Sequence, residues 1–390
     1  MRIAIDISGA IGRPSGMRRY AEELLKGLSE IDRKNEYFIY AAFWKNFPEK
    51  ARQFDMPRAP NFKLILKKLP QRLVLPLEAR LHWRIQERLL GRYRLDLFHE
   101  LTGILPRLKR LPAVVTLHHV GGQVDAGSAW KDFYFNELTG RSVLAADRII
   151  AASECTKAEA VRLYGVAPEK IEVVWEGGAS AAFQAAHDPG RLKTLKIARP
   201  YLLFVSAINL RKNLMRLVRA FAALRAKTLC AHSLVLVGPR EASYAALKEE
   251  TERLGLGERV RFLEKVGQEE LNALYREADL FVYPSLLEGF GLPMLEAMTC
   301  GVPVLAARAS CLPEIAGEAA LYFNGTDEED LARQMERALS DAALRQDLVR
   351  KGFERAKLFD WRETARKTLR VYETVVAGKR PPVSGQPNPI

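Results

Sequence analysis

The chain has only four cysteines in 390 residues, Cys155, Cys230, Cys300 and Cys311, and no two of them form a C-x-x-C pair. That scatter argues against a disulfide framework and a thiolate zinc site, and it fits a reducing compartment. No apolar run reaches the roughly 18 residues that cross a bilayer. The first strand-like stretch, RIAIDIS, begins at residue 2, so no signal peptide is expected ahead of it. There is no D-x-D pair, and no metal site is expected. Gly9, Gly12 and Gly16 do not fall into the G-x-G-x-x-G spacing of a dinucleotide turn. Acidic residues are scarce between Lys45 and Arg94, where thirteen Lys and Arg face only Glu49, Asp55, Glu78 and Glu87.

What is present fits a globular α/β protein. Apolar residues make up 48% and charged residues 27%, and the length suffices for two domains with cores of their own. The net charge is +13, and much of it lies in the 45–94 segment. There, LVLPLEARLHWRIQERLLGRYRL spaces Leu, Trp and Ile as one helix face, with arginines between. Such a helix suits an anionic membrane surface or a lipid-diphosphate acceptor. An ordinary solvated face packed on a core explains the pattern equally well. Nucleic acid is not expected as a partner, because no recognised motif accompanies the charge.

The densest stretch is Asp279 to Leu305, DLFVYPSLLEGFGLPMLEAMTCGVPVL. DLFVYP reads as a buried parallel strand. LLEGFGL is a loop whose Gly289 and Gly291 let the backbone approach a ligand. Pro293 suits the start of a helix that ends at Gly301. A helix start at the C-terminal edge of a sheet favours an anion such as a diphosphate. Glu288 and Glu296, with seven residues between them, face one crevice at different depths and can accept hydrogen bonds from paired sugar hydroxyls. Further back, PYLLFVSAINLRKNL reads as strand, loop and helix, with Arg211 and Lys212 placed to clamp a diphosphate.

These motifs resemble those of the family 4 glycosyltransferases, retaining enzymes of the GT-B fold. The Glu288–Glu296 pair around GFG-LP is similar to the family's E-x7-E, Arg211-Lys212-Asn213 to its R-K-N, and TLHHV (116–120) to its T-x-H-D. The loop GAIGRPSGMRRY resembles its N-terminal glycine turn, with Gly16 and Tyr20 matching and Met17 and Arg18 departing. The resemblance implies that Glu288 contacts the donor sugar and Glu296 the ribose. Backbone amides of Phe290, Gly291 and Leu292 would meet sugar and phosphate, and Arg211 and Lys212 the diphosphate. Gly16 would lie against donor phosphate and acceptor, and His118 would point at the sugar. His119 stands where the family has aspartate, and VVWEGGAS (173–180) where it has Asn-Gly-Val-Asp, so no role carries over to His119 or Glu176.

The expected fold is two Rossmann-like domains with parallel sheets facing across a cleft. An acceptor-side domain spans 1–185 and a linker 186–199. A nucleotide-sugar domain spans 200–358, a helix over 359–378 crosses back, and a disordered tail closes the chain at 379–390. The last strand-helix units alternate as a parallel sheet requires. The activity implied is retaining, metal-independent transfer of a hexose, with mannose from GDP-mannose favoured and a UDP-sugar the alternative. No cofactor is required. The acceptor would be a glycan or a polyprenyl-diphosphate-linked glycan in surface polysaccharide or lipopolysaccharide assembly. The expected location is the cytoplasm, at the inner face of the membrane. Two rival readings are an epimerase or phosphorylase of the same fold, and a non-catalytic protein that binds anionic surfaces by charge.

Overall fold

The computed structural model describes residues 1–11, 16–44, 54, 56–120, 137–183, 188–228 and 231–378. The tail at 379–390, Gly12 and part of the basic segment lie outside the described residues.

Among the described residues, the first half of the chain builds one parallel sheet. Its strands are β1 (Arg2–Asp6), β2 (Glu36–Ala42), β3 (Phe62–Lys67), β4 (Leu97–Glu100), β5 (Ala113–Leu117), β6 (Arg148–Ala151) and β7 (Ile171–Val173), in the order β3-β2-β1-β4-β5-β6-β7. A second parallel sheet follows, made of β8 (Tyr201–Val205), β9 (Ser233–Val237), β10 (Val260–Leu263), β11 (Leu280–Tyr283), β12 (Val304–Ala307) and β13 (Ala320–Phe323). Its order is β10-β9-β8-β11-β12-β13. The central strands are buried along their whole length in AVVTL and LFVY and from Ile3 onward in RIAID, because helices cover both faces. Each sheet reverses direction once, between β1 and β4 and between β8 and β11. Loops leaving the C-terminal ends of such strands frame a crevice. The expectation of two parallel α/β domains holds.

The helices needed below are α1 (Gly16–Ile31), α2 (Gln71–Leu81), α3 (Glu154–Tyr164), α4 (Gln268–Arg276), α5 (Leu292–Thr299), α6 (Leu312–Ala316) and α7 (Trp361–Ala377). Helix α7 leaves the second domain and packs on α1. Its Ala365, Val371, Tyr372 and Val375 join the core of the first sheet. No helix among the described residues is long and apolar enough to cross a membrane.

Two local expectations need correction. The helix after β1 begins at Gly16, not at Ala21, so Met17, Arg18 and Arg19 are helical and not part of a loop. Arg18 and Glu22 pair at 2.8 Å one turn apart, which favours the earlier start. The basic stretch is not one amphipathic helix. It breaks after Leu81, where His82 adopts a left-handed conformation at φ 59°, and resumes as a short helix at Ile85–Leu90. The buried Glu78 carboxylate accepts the Gln86 backbone N–H across that break at 2.8 Å, an attachment a continuous helix would forbid.

Candidate active site

The second sheet's reversal point supplies most of the charged groups. The loop after β8 tightens into a single 3-10 turn at Leu210–Lys212, and Asn213 turns back with φ 58°. The Asn213 amide donates to the Pro284 carbonyl at 3.1 Å, fixing this loop against the loop after β11. Lys212 is thereby buried at 3% exposure, ion-paired with Glu288. Arg211 sits 3.9 Å from the other Glu288 oxygen and donates to the Leu287 carbonyl at 3.4 Å. Burial by itself would push the Glu288 carboxyl up, but the Lys212 ammonium and Arg211 guanidinium outweigh it and hold the carboxyl below its usual range. The site therefore keeps a buried anion and two cations in one cluster.

The backbone between the two glutamates is shaped by close approach. A Cβ on Gly289 would stand 1.3 Å from the His118 carbonyl oxygen, so only glycine fits where this loop touches the first domain. Gly291 caps α5 at φ 97°, and Pro293 sits at the second helical position rather than the first. Phe290 is buried with its ring edge on Phe359, 5.6 Å between centroids, which pins the amides of 290–292 at the head of α5.

Glu296 lies one turn into α5 and is already engaged. One oxygen pairs with Arg19 of the first domain, and the other accepts the Tyr275 hydroxyl of α4 at 2.7 Å. The Arg19 guanidinium also lies over the Phe183 ring at 5.4 Å. Arg19 did not emerge from the sequence as a site residue. The signal was present in the match of its position, but placing the stretch in a loop hid the fact that it stands on the first turn of α1, facing the cleft.

His118 ends β5 at the cleft wall, yet both ring nitrogens are taken. Nδ1 lies 2.9 Å from Glu176 and Nε2 2.9 Å from the Leu101 carbonyl. Burial opposes the charged ring, but the carboxylate and carbonyl prevail and raise its pKa. Its ring is thus engaged by the protein, and its carbonyl faces Gly289. Glu176, to which the sequence assigned no contact, is what holds it. His119 is exposed and lies within the field of Arg211, where the surrounding protein and that guanidinium push its pKa down. His99 is buried in β4 between the Tyr372 hydroxyl at 2.6 Å and Thr116 at 2.8 Å. Gly16 opens α1, and a Cβ there would meet nothing.

Across the cleft, a second carboxylate from the second domain closes the gap. Glu314 of α6 accepts the backbone N–H groups of Glu154 and Cys155 at the head of α3, at 2.9 and 3.1 Å, and the Trp175 indole N–H at 2.9 Å. Trp175, a departure from the family pattern, is an interdomain contact.

The first domain's side of the cleft carries two buried carboxyls. Asp6 and Glu100 are register partners at the ends of β1 and β4. Burial pushes Asp6 up to about 6, and burial with the neighbouring Asp6 pushes Glu100 up to about 7.

Comparison with known proteins agrees with this geometry. The model of the Glyco_transf_4 family, "Glycosyltransferase Family 4", matches residues 14–177, and that of "Glycosyl transferases group 1" matches residues 193–355. The MMP α-(1→4)-mannosyltransferase of Mycolicibacterium hassiacum is 30% identical over 71% of this chain and 69% of its own. The chain belongs to the family 4 glycosyltransferases. As a glycosyltransferase it is similar to O-antigen chain mannosyltransferase B of Escherichia coli, at 29% identity over 92% of this chain and 96% of that protein. The fold is that of GT-B enzymes. Anabaena Alr3699/HepE, solved in complex with UDP-glucose, superposes with a TM-score of 0.71 at 20% identity, covering 97% of this chain and 100% of that one.

Proposed function

We propose that this glycosyltransferase moves a hexose, with mannose from GDP-mannose favoured over a UDP-sugar, onto a glycan or polyprenyl-diphosphate-linked acceptor with retention at the anomeric carbon. The observation that carries the reading is the Glu288–Lys212–Arg211 cluster beside the head of α5, all at one reversal point of the second sheet. When a nucleotide diphosphate leaves the sugar, negative charge grows on its oxygens. Two cations and the amides of 290–292 offset that charge without a divalent ion. Arrival of the phosphate frees Lys212 from Glu288, and Glu288 turns to the sugar hydroxyls. No side chain is assigned as base, because the departing phosphate oxygen can take the acceptor proton on the same face.

Glu296 receives the ribose hydroxyls after Arg19 is displaced. His118 is a positioning residue: clamped by Glu176 and Leu101, it sets the backbone against which Gly289 closes. The likeness to O-antigen chain mannosyltransferase B supports the choice of mannose and of an acceptor in surface polysaccharide synthesis, and the reading includes action in the cytoplasm at the inner membrane face.

The test is a thermal-shift panel of nucleotides and nucleotide-sugars in chelator, followed by transfer assays with anomeric analysis of the product. A ligand that binds only the folded state raises the melting temperature. A shift with GDP and GDP-mannose, and a product that keeps the donor's anomeric configuration, supports the reading. A shift confined to UDP-sugars replaces the donor, and an inverted product or an absolute need for metal overturns the mechanism.

A further inference from the structure

Six of the eleven large hydrophobic side chains exposed among the described residues fall between positions 44 and 83. On α2, Leu73, Leu77 and Leu81 are exposed at 63, 41 and 50%, and Trp83, just past the helix, at 51%. Their four-residue spacing stacks the leucines on one face as a ridge about 12 Å long. The opposite face of α2 is committed to the core, where Leu75 packs with Ile104 and Leu138. Trp44 extends the ridge. Its neighbour Phe43 accepts the Leu69 backbone N–H just ahead of α2, and Lys68 lies over the Trp44 ring at 5.2 Å.

The charge around this ridge is mostly positive. Between Lys63 and Arg94 the sequence carries nine cations and two acids, and both acids turn inward. Glu78 is 1% exposed and bonded to the Gln86 backbone. Glu87 accepts the backbone N–H groups of Lys109, Arg110 and Leu111. Glu137, at the start of the adjacent helix, is paired with Arg141, which also donates to the Ala79 carbonyl at the end of α2. Lys68, Arg80, Arg88, Arg92 and Arg94 remain on the surface. A row of leucines and two tryptophans whose described surroundings carry an excess of exposed cations matches a surface that is apolar below and anionic above.

We infer that the exposed leucine ridge of α2, with Trp44 and Trp83, inserts into the headgroup boundary of an anionic phospholipid bilayer. Ile104, against which α2 packs, follows Glu100 at the C-terminal edge of β4. The ridge therefore flanks the acceptor side of the cleft, and a lipid-linked acceptor in the same bilayer would present its glycan there. That last step rests on the transfer reading given above, whereas the membrane contact stands without it.

The full chain is tested by co-sedimentation with vesicles of phosphatidylethanolamine and phosphatidylglycerol, against vesicles of phosphatidylcholine alone. The wild type binds the anionic vesicles and releases them as salt rises. The combined Leu73→Ser, Leu77→Ser and Leu81→Ser variant loses that binding by roughly tenfold or more, while its turnover on a water-soluble acceptor stays unchanged. Brominated lipid in the vesicles quenches wild-type tryptophan emission, and Trp83→Phe removes part of that quenching. A wild type that ignores anionic vesicles overturns the inference, as does a triple variant that binds like wild type. A triple variant that instead splits a dimer in sedimentation velocity assigns the ridge to a second copy and also overturns it. Vesicle binding without transfer from any nucleotide-sugar would sink the transfer reading and leave the ridge standing.

Discussion

The two domains treat their buried carboxyl groups differently. Among the described residues of the second domain, Glu250, Glu288 and Glu296 each touch a lysine or arginine. In the first domain, Asp6, Asp32, Glu78 and Glu100 are held by backbone N–H groups, hydroxyls and amides, and only Glu176 meets a cationic partner, His118. A paired carboxylate stays ionised and can exchange its cation with an arriving phosphate. Without a cation, burial pushes Asp6, Glu78 and Glu100 toward the neutral form, whereas hydrogen bonds from Tyr37, Asn35 and the Lys34 backbone hold Asp32 below its usual range. The second domain's carboxylates are thus built for ion exchange, and the first domain's Asp6 and Glu100 for a neutral floor.

The largest break in that contrast should come from Glu288→Gln. It keeps a hydrogen-bond acceptor for Lys212 but removes the charge, and the transfer rate should fall roughly 10²–10³-fold with the melting profile preserved. Wild-type turnover in that variant would remove Glu288 from the chemistry.

Next is Glu314→Ala, which strips three donors of their partner at the interdomain contact. The loss should be about 1–3 kcal/mol in stability, together with a larger radius of gyration by small-angle scattering. An unchanged radius would mean that the contact does not hold the domains together.

A comparable effect should follow pH. The folded-state pKa values of Asp6 and Glu100 are raised, to about 6 and about 7, so between roughly pH 4 and 7 the folded chain holds more protons than the unfolded one. Their contribution to stability is fully present below that window and is lost as pH rises through it. For Asp6 the loss is of order 2–3 kcal/mol. Asp6→Asn should flatten that decline in a series of denaturant melts, and a decline identical to wild type would show that Asp6 is not its source.

The smallest effect sharpens the donor side. Arg19→Gln frees Glu296 from its cation, and free nucleotide should bind a few-fold more tightly, on the order of 1 kcal/mol, by calorimetry. Weaker binding would mean that Arg19 serves the nucleotide directly and does not merely guard the ribose acceptor.

Much of the donor half was legible because its signals are local. The strand DLFVYP, the loop glycines and the Pro293 helix start lie within one short stretch, and period and turn chemistry suffice to read them. The first domain was harder. Arg19 was misplaced because Gly9, Gly12, Pro14 and Gly16 make the stretch ahead of it read as a loop, and glycine is a poor helix former. The basic stretch looked like one helix because its apolar spacing continues past His82, while the break depends on Glu78 reaching Gln86.

By itself, the sequence determined the alternation of buried strands and helices, with Arg211 and Lys212 in the loop after β8 and Glu288 and Glu296 in the loop and helix after β11. Burial patterns and loop chemistry are written in neighbouring residues. The tertiary structure alone decided that Glu296 meets Arg19 across 277 positions, that His118 is locked by Glu176, and that Glu314 ties α6 to α3. Those contacts join residues whose separation along the chain carries no local signature, and only tertiary packing, within the first domain for His118 and Glu176 and between the domains for the other two, brings them within hydrogen-bond reach.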